Sequence, residues 1–201
     1  FIDLLKNTND PRLRIYAKLE ATGDNNPASQ QGLANDAKDF PGGDKKLFSD
    51  PNTSTVLRYD APTLIMSYAE VQYLLAEAAV KGWNVGGSAQ TYYENGVRAA
   101  MNILAIFGDK VPLVSPAEYT TYITTYPFKS GGTEAQKIEQ IITQKWILLL
   151  FNGFEAFSEY RRTGYPVLVP VNDPTGETKG TIPRRLIYDQ SELITNEANY
   201  K

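Results

Sequence analysis

Two glutamates on one predicted helix, Glu70 and Glu77, come closest to a catalytic pattern in their type and spacing. Residues seven apart share a face of a helix, and glycoside hydrolysis uses a pair of carboxyl groups. That reaction needs the carboxyls on opposite sides of the scissile bond, whereas these two lie on one helix. Inward-facing carboxylates more often form ion pairs that hold helices together. We therefore predict structural ion pairs between them and three candidate arginines, Arg98, Arg161 and Arg162.

The composition excludes most other site chemistry. The sequence has no cysteine and no histidine, which removes thiolate metal sites, cysteine nucleophiles, the commonest general base and the commonest metal ligand. The net charge is −3 and the basic residues are scattered, which argues against a nucleic-acid groove. Calcium could bind Asp and Asn side chains of residues 24–60, but no calcium-loop spacing is present. We predict no catalytic residue, no metal site and no cofactor.

Candidate ligand-binding residues lie in a long irregular segment. Residues 21–61 are rich in Gly, Pro, Asn, Asp and Ser and show no helical or strand period. Long loops of this kind are often functional. Asn35, Asp36 and Tyr59 are its polar and aromatic candidates, and Trp83 is a fourth because it follows a predicted helix end at a loop tip. The alternative for Trp83 is a hydrophobic contact that caps the helix.

The helix that carries Glu70 and Glu77 and ends before Trp83 is predicted from the spacing of apolar residues. Apolar residues recur at spacings of three and four over 63–81, which predicts a helix with Thr63 as N-cap and Gly82 as its end. Its predicted apolar stripe consists of Leu64, Tyr68, Val71, Leu75 and Ala78. A second helix is predicted over 89–106, so that the two form a hairpin of the kind that stacks in tetratricopeptide repeats.

Three more helices follow in the sequence. Ser115 predicts the start of a short helix that ends near Tyr126, and Thr133 caps a helix over 134–151. The spacing of its apolar stripe places Lys145 on the same face as the apolar residues. Trp146 is also part of this stripe and is predicted to be a core residue. Asn152-Gly153 is predicted to kink or break this helix, and a further helical segment runs to Arg162. With no convincing sheet, the prediction is a mostly all-α fold with an entry segment (1–20), a long surface loop (21–61), a helical scaffold (62–166) and a loop-like C-terminal segment (167–201).

Several strings, in this order, resemble one family. They are Asp10–Leu13, Met66–Ala79, Tyr93–Met101, Gln144–Ile147, Asn152–Pro166 and Ile182–Tyr188, followed by Ser191, Glu192 and Asn196. Together they resemble the SusD/RagB family of nutrient-binding lipoproteins and cover nearly the whole chain. The resemblance implies a SusD-like fold of tetratricopeptide-like hairpins with long loops, of which this chain is the C-terminal part.

The resemblance also implies a function. Family members are lipid-anchored on the outer membrane at the cell surface, act in polysaccharide utilisation, and capture a glycan for a SusC-like TonB-dependent transporter without cleaving it. We therefore expect an oligosaccharide ligand, that transporter and the missing N-terminal part of the same protein as partners. The anchor would lie in an N-terminus that is not present in this chain. Alternatives are a RagB-like peptide binder and a helical-repeat adaptor that binds other proteins.

Overall fold

Helices dominate the computed structural model, in which about 50% of the residues are helical and 3% are in strands. The structure describes residues 1–34, 44–108, 111, 113–171, 178, 180–185 and 188–199. The chain forms two compact units, Phe1–Val167 and Leu168–Lys201. The prediction of a mostly α fold is confirmed.

The first unit begins with two short helices and a small sheet. Helix α1 spans Ile2–Asn7 and α2 spans Leu13–Tyr16. Strand β1 (Ala17–Leu19) follows directly and pairs antiparallel with β2 (Ser49–Pro51), with Lys18 opposite Asp50. A short 3₁₀ helix, Lys45–Leu47, precedes β2. The sequence-based expectation of no sheet is wrong here, because strands of three residues are too short for an alternating pattern to be recognised.

The central hairpin consists of α3 (Tyr68–Val80) and α4 (Ala89–Asn102), and a 3₁₀ turn over Ile103–Phe107 continues α4. Helix α3 starts later than predicted. Its N-cap is Ser67, whose hydroxyl accepts a hydrogen bond from the backbone N–H of Glu70 at 3.2 Å, and not Thr63.

The buried face of α3 also differs from the predicted stripe. Its buried apolar residues are Ala69, Tyr73 and Ala76, and Glu70 and Glu77 are buried beside them. The predicted residues Tyr68 and Val71 are exposed, and Leu64, Leu75 and Ala78 are only half-buried. The helices approach closely, since a Cβ at Gly96 of α4 would lie 2.5 Å from the Tyr73 ring. Small residues such as Gly96, Ala69 and Ala76 therefore allow the close contact, and the aliphatic residues Val71 and Leu74 of α3 are exposed.

The remaining helices of the first unit begin where the capping signals predict. Helix α5 spans Pro116–Thr125 and α6 spans Glu134–Leu148. Both start with a reciprocal capping box, from Ser115 with Glu118 and from Thr133 with Gln136. Helix α7, Gly153–Thr163, is capped by the Asn152 side chain and ends at Gly164, which has a left-handed φ of 76°. Helix α6 was predicted to end at Phe151 but ends at Leu148. Phe151 itself has a left-handed φ of 72°, which a continuing helix does not allow.

Two apolar clusters form the core of the first unit. One lies between the hairpin, α5 and α6 and contains Tyr73, Val97, Met101, Tyr119 and Ile141. The other joins α1 and α2 to the 3₁₀ turn after α4 and to α6, and contains Leu5, Leu13, Ile15, Leu104 and Ile147. Trp146 is half-buried against this second cluster, with its ring 5.5 Å from that of Phe1.

The second unit contains one short helix in its described part. Helix α8, Gln190–Thr195, starts at Asp189, whose carboxylate accepts a hydrogen bond from the Ser191 N–H at 2.8 Å. A 3₁₀ turn over Glu197–Asn199 follows. The expectation of a loop-like segment over 167–201 is therefore wrong for these residues, because a six-residue helix carries too few apolar positions to show a period. Among the described helices, none combines the length and apolar character needed to cross a bilayer.

Candidate functional site

The two glutamates of α3 are both bound by cations. Glu77 receives two hydrogen bonds of 2.6 Å from the guanidinium of Arg162 on α7, and the Lys81 ammonium lies 3.2 Å from it. Arg162 also donates to Glu159 at 2.8 Å. This bidentate contact joins α3 to α7 and is the geometry in which a guanidinium binds a carboxylate most strongly.

Glu70 has a different partner from the one that was predicted. Its carboxylate lies 3.2 Å from the ammonium of Lys145 on α6, and Glu155 and Glu159 lie 3.5 and 3.4 Å from the same nitrogen. Lys145 is only 2% exposed. We name Glu70, Glu77, Glu155, Glu159, Lys81, Lys145 and Arg162 the α3–α6–α7 ion network. The expected arginine pairing of Glu70 is wrong because Lys145, at a buried position of the adjacent α6, reaches it.

The two other candidate arginines contact aromatic rings. The guanidinium of Arg98 lies 4.0 Å from the centre of the Tyr119 ring, and that of Arg161 lies 5.7 Å from the Phe157 ring. Such contacts are attractive because the ring face carries partial negative charge. Arg98 thus joins α4 to α5, and neither contact involves Glu70 or Glu77.

The ion network predicts that the folded protein loses stability at acidic pH. Burial alone would raise the pKa of Glu77, but hydrogen bonds and charge from Arg162 and Lys81 outweigh burial and lower that pKa from its ordinary 4.5. A lowered folded-state pKa contributes stability above the unfolded pKa, and this stability is lost as pH falls through the folded value. We expect the free energy of unfolding to decrease as pH falls below about 4.5.

The variant Arg162→Met should weaken this dependence. Urea unfolding across acidic pH measures it, and added salt should shrink the effect because Arg162 is partly exposed. Arg161→Met is the matched control and should keep the wild-type pH profile, since its guanidinium lies against Phe157. An unchanged profile in Arg162→Met would contradict the assignment.

A fully buried ion pair near the N-terminus was not predicted from the sequence. Arg12 donates from Nε to Asp10 at 2.9 Å and a second time from Nη2, and both side chains are inaccessible to solvent. Arg12 Nη2 also donates to Gln144 at 2.8 Å, and Gln144 donates to the Tyr122 hydroxyl at 2.8 Å. Burial raises the pKa of Tyr122, with smaller opposing effects from Arg12 and Gln144. The available signal was a pair of opposite charges around Pro11 immediately before apolar Leu13 and Ile15.

A cavity of about 510 Å³ lies at the N-terminal end of α3. Its walls come from residues 56–58, 61–67 and 148–152, with Glu70 and Phe107. Most of these side chains are apolar, and several polar ones have structural roles. Ser67 and Asn152 cap helices, Arg58 pairs with Asp60, and Glu70 pairs with Lys145. The cavity therefore offers apolar surface with a few fixed polar groups, which is usual for a small-ligand site.

The two predicted ligand residues that the structure describes, Tyr59 and Trp83, do not come together. Tyr59 follows the cavity residue Arg58, and its side chain is fully exposed. Trp83 lies past the other end of α3, about 20 Å away by the length of a 13-residue helix. Asn35 and Asp36 lie outside the described residues.

Trp83 helps to close the end of α3 through its backbone, and not through the hydrophobic side-chain contact that was the alternative. Its backbone N–H donates to Ala78 O at 3.0 Å, and that of Gly82 donates to Ala79 O at 3.1 Å, which closes the end of α3. Its side chain is nevertheless 68% exposed. The helix end is thus held by backbone hydrogen bonds, and the indole is accessible to a ligand.

The described residues contain no group of three or more acidic side chains arranged to hold a metal ion. The four glutamates of the ion network each lie within 3.5 Å of a lysine or arginine nitrogen. Both candidate carboxylates of a glycosidase, Glu70 and Glu77, are engaged in this way, which disfavours their use as acid and nucleophile.

Comparison with known proteins gives one family and several related folds. The model of the SusD-like_2 family, described as "starch-binding associating with outer membrane", matches residues 1–189. No curated protein matches. A solved chitin-binding protein is 37% identical with a TM-score of 0.76, and the match covers 99% of this chain and 44% of that one.

Two further solved structures agree with this result. A SusD homologue from Bacteroides fragilis is 26% identical with a TM-score of 0.78, and the match covers 98% of this chain and 46% of the homologue. A chitin-binding SusD homologue from Flavobacterium johnsoniae is 29% identical with a TM-score of 0.70, with coverage of 96% and 43%. The chain spans less than half the length of these three solved structures.

Proposed function

Since this chain belongs to the SusD-like family, we propose that it is part of a cell-surface protein that captures an oligosaccharide and does not cleave it. The protein would be anchored by lipid to the outer membrane and would deliver its ligand to a TonB-dependent transporter. The match over residues 1–189 carries this proposal, and the chitin-binding relatives support a glycan as the ligand. The engagement of Glu70 and Glu77 by cations supports binding without hydrolysis.

The cavity at the N-terminal end of α3, together with the exposed Tyr59 that follows its lining residue Arg58 in the chain, is the ligand site that we favour in this part of the protein. Its volume of about 510 Å³ is within the range of small-ligand sites, about 300–1,000 Å³. Sugar rings bind through their apolar faces to exposed aromatic rings, and Tyr59 supplies such a ring. An acetamido methyl group, as in chitin oligosaccharides, suits the aliphatic walls of the cavity. Trp83 lies past the other end of α3, so any ligand contact it makes would be separate from this cavity.

Calorimetric titration of the full-length protein with chitin oligosaccharides, malto-oligosaccharides and short peptides tests the function. We expect binding of an oligosaccharide. Binding of peptides alone would replace glycan capture with RagB-like peptide capture, and the absence of binding to the whole panel would overturn the proposal.

A Tyr59 series tests the site. We expect Tyr59→Ala to weaken oligosaccharide binding by about tenfold, which corresponds to about 1.4 kcal/mol. Tyr59→Phe is the matched control and should bind like the wild type, because it keeps the ring. Folding should be unaffected by either change because the Tyr59 side chain is fully exposed. Equal affinity of Tyr59→Ala and wild type would exclude this site while leaving glycan capture intact.

A further inference from the structure

A small apolar recess adjoins the cavity at the N-terminal end of α3. Its volume is about 30 Å³, compared with about 510 Å³ for the cavity. Six residues line both spaces: Val56, Leu64, Phe107, Leu148, Leu150 and Phe151. Tyr16, Ile103 and Leu104 line the recess alone. Because the two spaces share these walls, the recess lies directly beside the cavity.

Three separate parts of the chain form the shared walls. Leu148 is the last residue of α6, and Phe151 follows it with a left-handed φ of 72°. Val56 and Leu64 belong to the segment before α3, and Phe107 ends the 3₁₀ turn after α4. Val56 and Phe107 are 7% exposed and Leu148 is 8% exposed. The recess is therefore bounded by core residues, whose positions are fixed by close packing.

The size and chemistry of the recess select a small apolar group. Among its described lining residues, only Tyr16 has a polar side-chain atom. A volume of about 30 Å³ exceeds the roughly 10–15 Å³ that a water-sized group needs, and apolar cavities accept apolar guests more readily than water. A sugar ring is too large for this space, and a hydroxyl or ammonium group would lose its hydrogen bonds there. A methyl group fits both conditions.

We propose that the recess binds the methyl of an acetyl group on the sugar, so that the protein prefers acetylated oligosaccharides to unsubstituted ones. The inference rests on the proposed function, in which the cavity holds the sugar ring. The acetyl carbonyl would remain in the cavity, which has polar groups in its walls, while the methyl fills the recess. An unfilled apolar space lowers stability, so a guest methyl gains packing contacts as well as burial.

Calorimetric titration of the full-length protein with matched pairs of oligosaccharides tests the preference. Chitin and cello-oligosaccharides have the same linkage and differ in the acetamido group. We expect the chitin oligosaccharide to bind at least about tenfold more tightly, which corresponds to about 1.4 kcal/mol. Its deacetylated form should bind as weakly as the cello-oligosaccharide or more weakly, because an ammonium group is costly to bury. Xylo-oligosaccharides with and without O-acetyl groups form the second pair and distinguish O-acetyl from N-acetyl recognition.

A variant that fills the recess tests the assignment to these residues. Val56→Ile adds one methyl group to a wall that the recess and the cavity share. We expect it to reduce the preference for the acetylated ligand to about twofold or less, while the cello-oligosaccharide keeps its wild-type affinity. Ala61→Val is the matched control, because Ala61 lines the cavity and not the recess, and it should keep the wild-type preference. Circular dichroism checks that both variants fold.

The outcomes separate this inference from the proposed function. Equal affinity within both ligand pairs would overturn acetyl recognition and leave oligosaccharide capture intact, and this comparison needs only the wild-type protein. An undiminished preference in a folded Val56→Ile protein would overturn the assignment to the recess. The absence of binding to every oligosaccharide would overturn the proposed function itself, and acetyl recognition with it.

Discussion

Replacing Asp10 with alanine should lower the free energy of unfolding by about 3–5 kcal/mol, because removing one partner of a buried pair leaves an uncompensated charge. Asp10 is the carboxylate to which Arg12 donates twice, and both side chains are inaccessible to solvent. Arg12 Nη1 already has no hydrogen-bond partner in the described part of the chain. The variant would leave the guanidinium with Gln144 as its remaining side-chain acceptor. Urea unfolding followed by circular dichroism measures the loss.

A double variant separates charge from packing in this experiment. Arg12→Met in the Asp10→Ala background removes the stranded cation and keeps an unbranched side chain, so we expect it to recover about half of the lost stability or more. Asp10→Asn should be intermediate, because it retains an acceptor for the Arg12 backbone N–H, now 2.9 Å from the carboxylate. If the double variant were less stable than Asp10→Ala, the charge argument would be wrong.

The starts of α5 and α6 could be predicted from the sequence because their cause is local, whereas α3 was predicted to start at Thr63 and starts at Ser67. Ser115 and Thr133 cap α5 and α6 through residues three positions further along. Gly164 ends α7 where the backbone must turn left-handed. Each of these features needs only a few neighbouring residues, so the printed sequence contains the whole determinant.

The orientation of α3 could not be predicted in the same way. The apolar period of Tyr68, Val71 and Leu75 is real, but it marks the outward face. The inward face contains Glu70 and Glu77, which were predicted to form structural ion pairs but not to share their face with the core residues Ala69, Tyr73 and Ala76. Their burial depends on Lys145 and Arg162, which are 75 and 85 positions away in the sequence. Long-range charge pairing thus decides which of two apolar faces packs inside this unit.

The candidate site shows the same division between local and long-range causes. Exposure of Tyr59 and Trp83 follows from their loop positions, as predicted for loop residues. The cavity at the N-terminal end of α3 was not predicted, because residues 56–58 and 61–67 meet residues 148–152 only through the fold. The one local signal was Asn152-Gly153, which ends the preceding turn and caps α7 at the cavity wall.

Lys145 should be the residue of the ion network with the largest effect on stability. It is 2% exposed and lies within 3.5 Å of Glu70, Glu155 and Glu159. Replacement by methionine keeps most of the side-chain volume but leaves three carboxylates near one another without the central cation. We expect the free energy of unfolding at neutral pH to fall by about 3–5 kcal/mol. Lys137→Met on the same helix is the control and should have an effect within about 0.5 kcal/mol, because Lys137 forms no ion pair in the described residues.

A double variant distinguishes this electrostatic cause from a packing defect. In the Lys145→Met background, Glu70→Gln removes one of the three carboxylates that lie within 3.5 Å of the lysine nitrogen in the wild type. We expect this second change to recover part of the lost stability, because it reduces the repulsion that the missing cation leaves behind. A double variant less stable than Lys145→Met, measured by urea unfolding, would assign the loss to packing of α6 and would contradict the electrostatic role of Lys145.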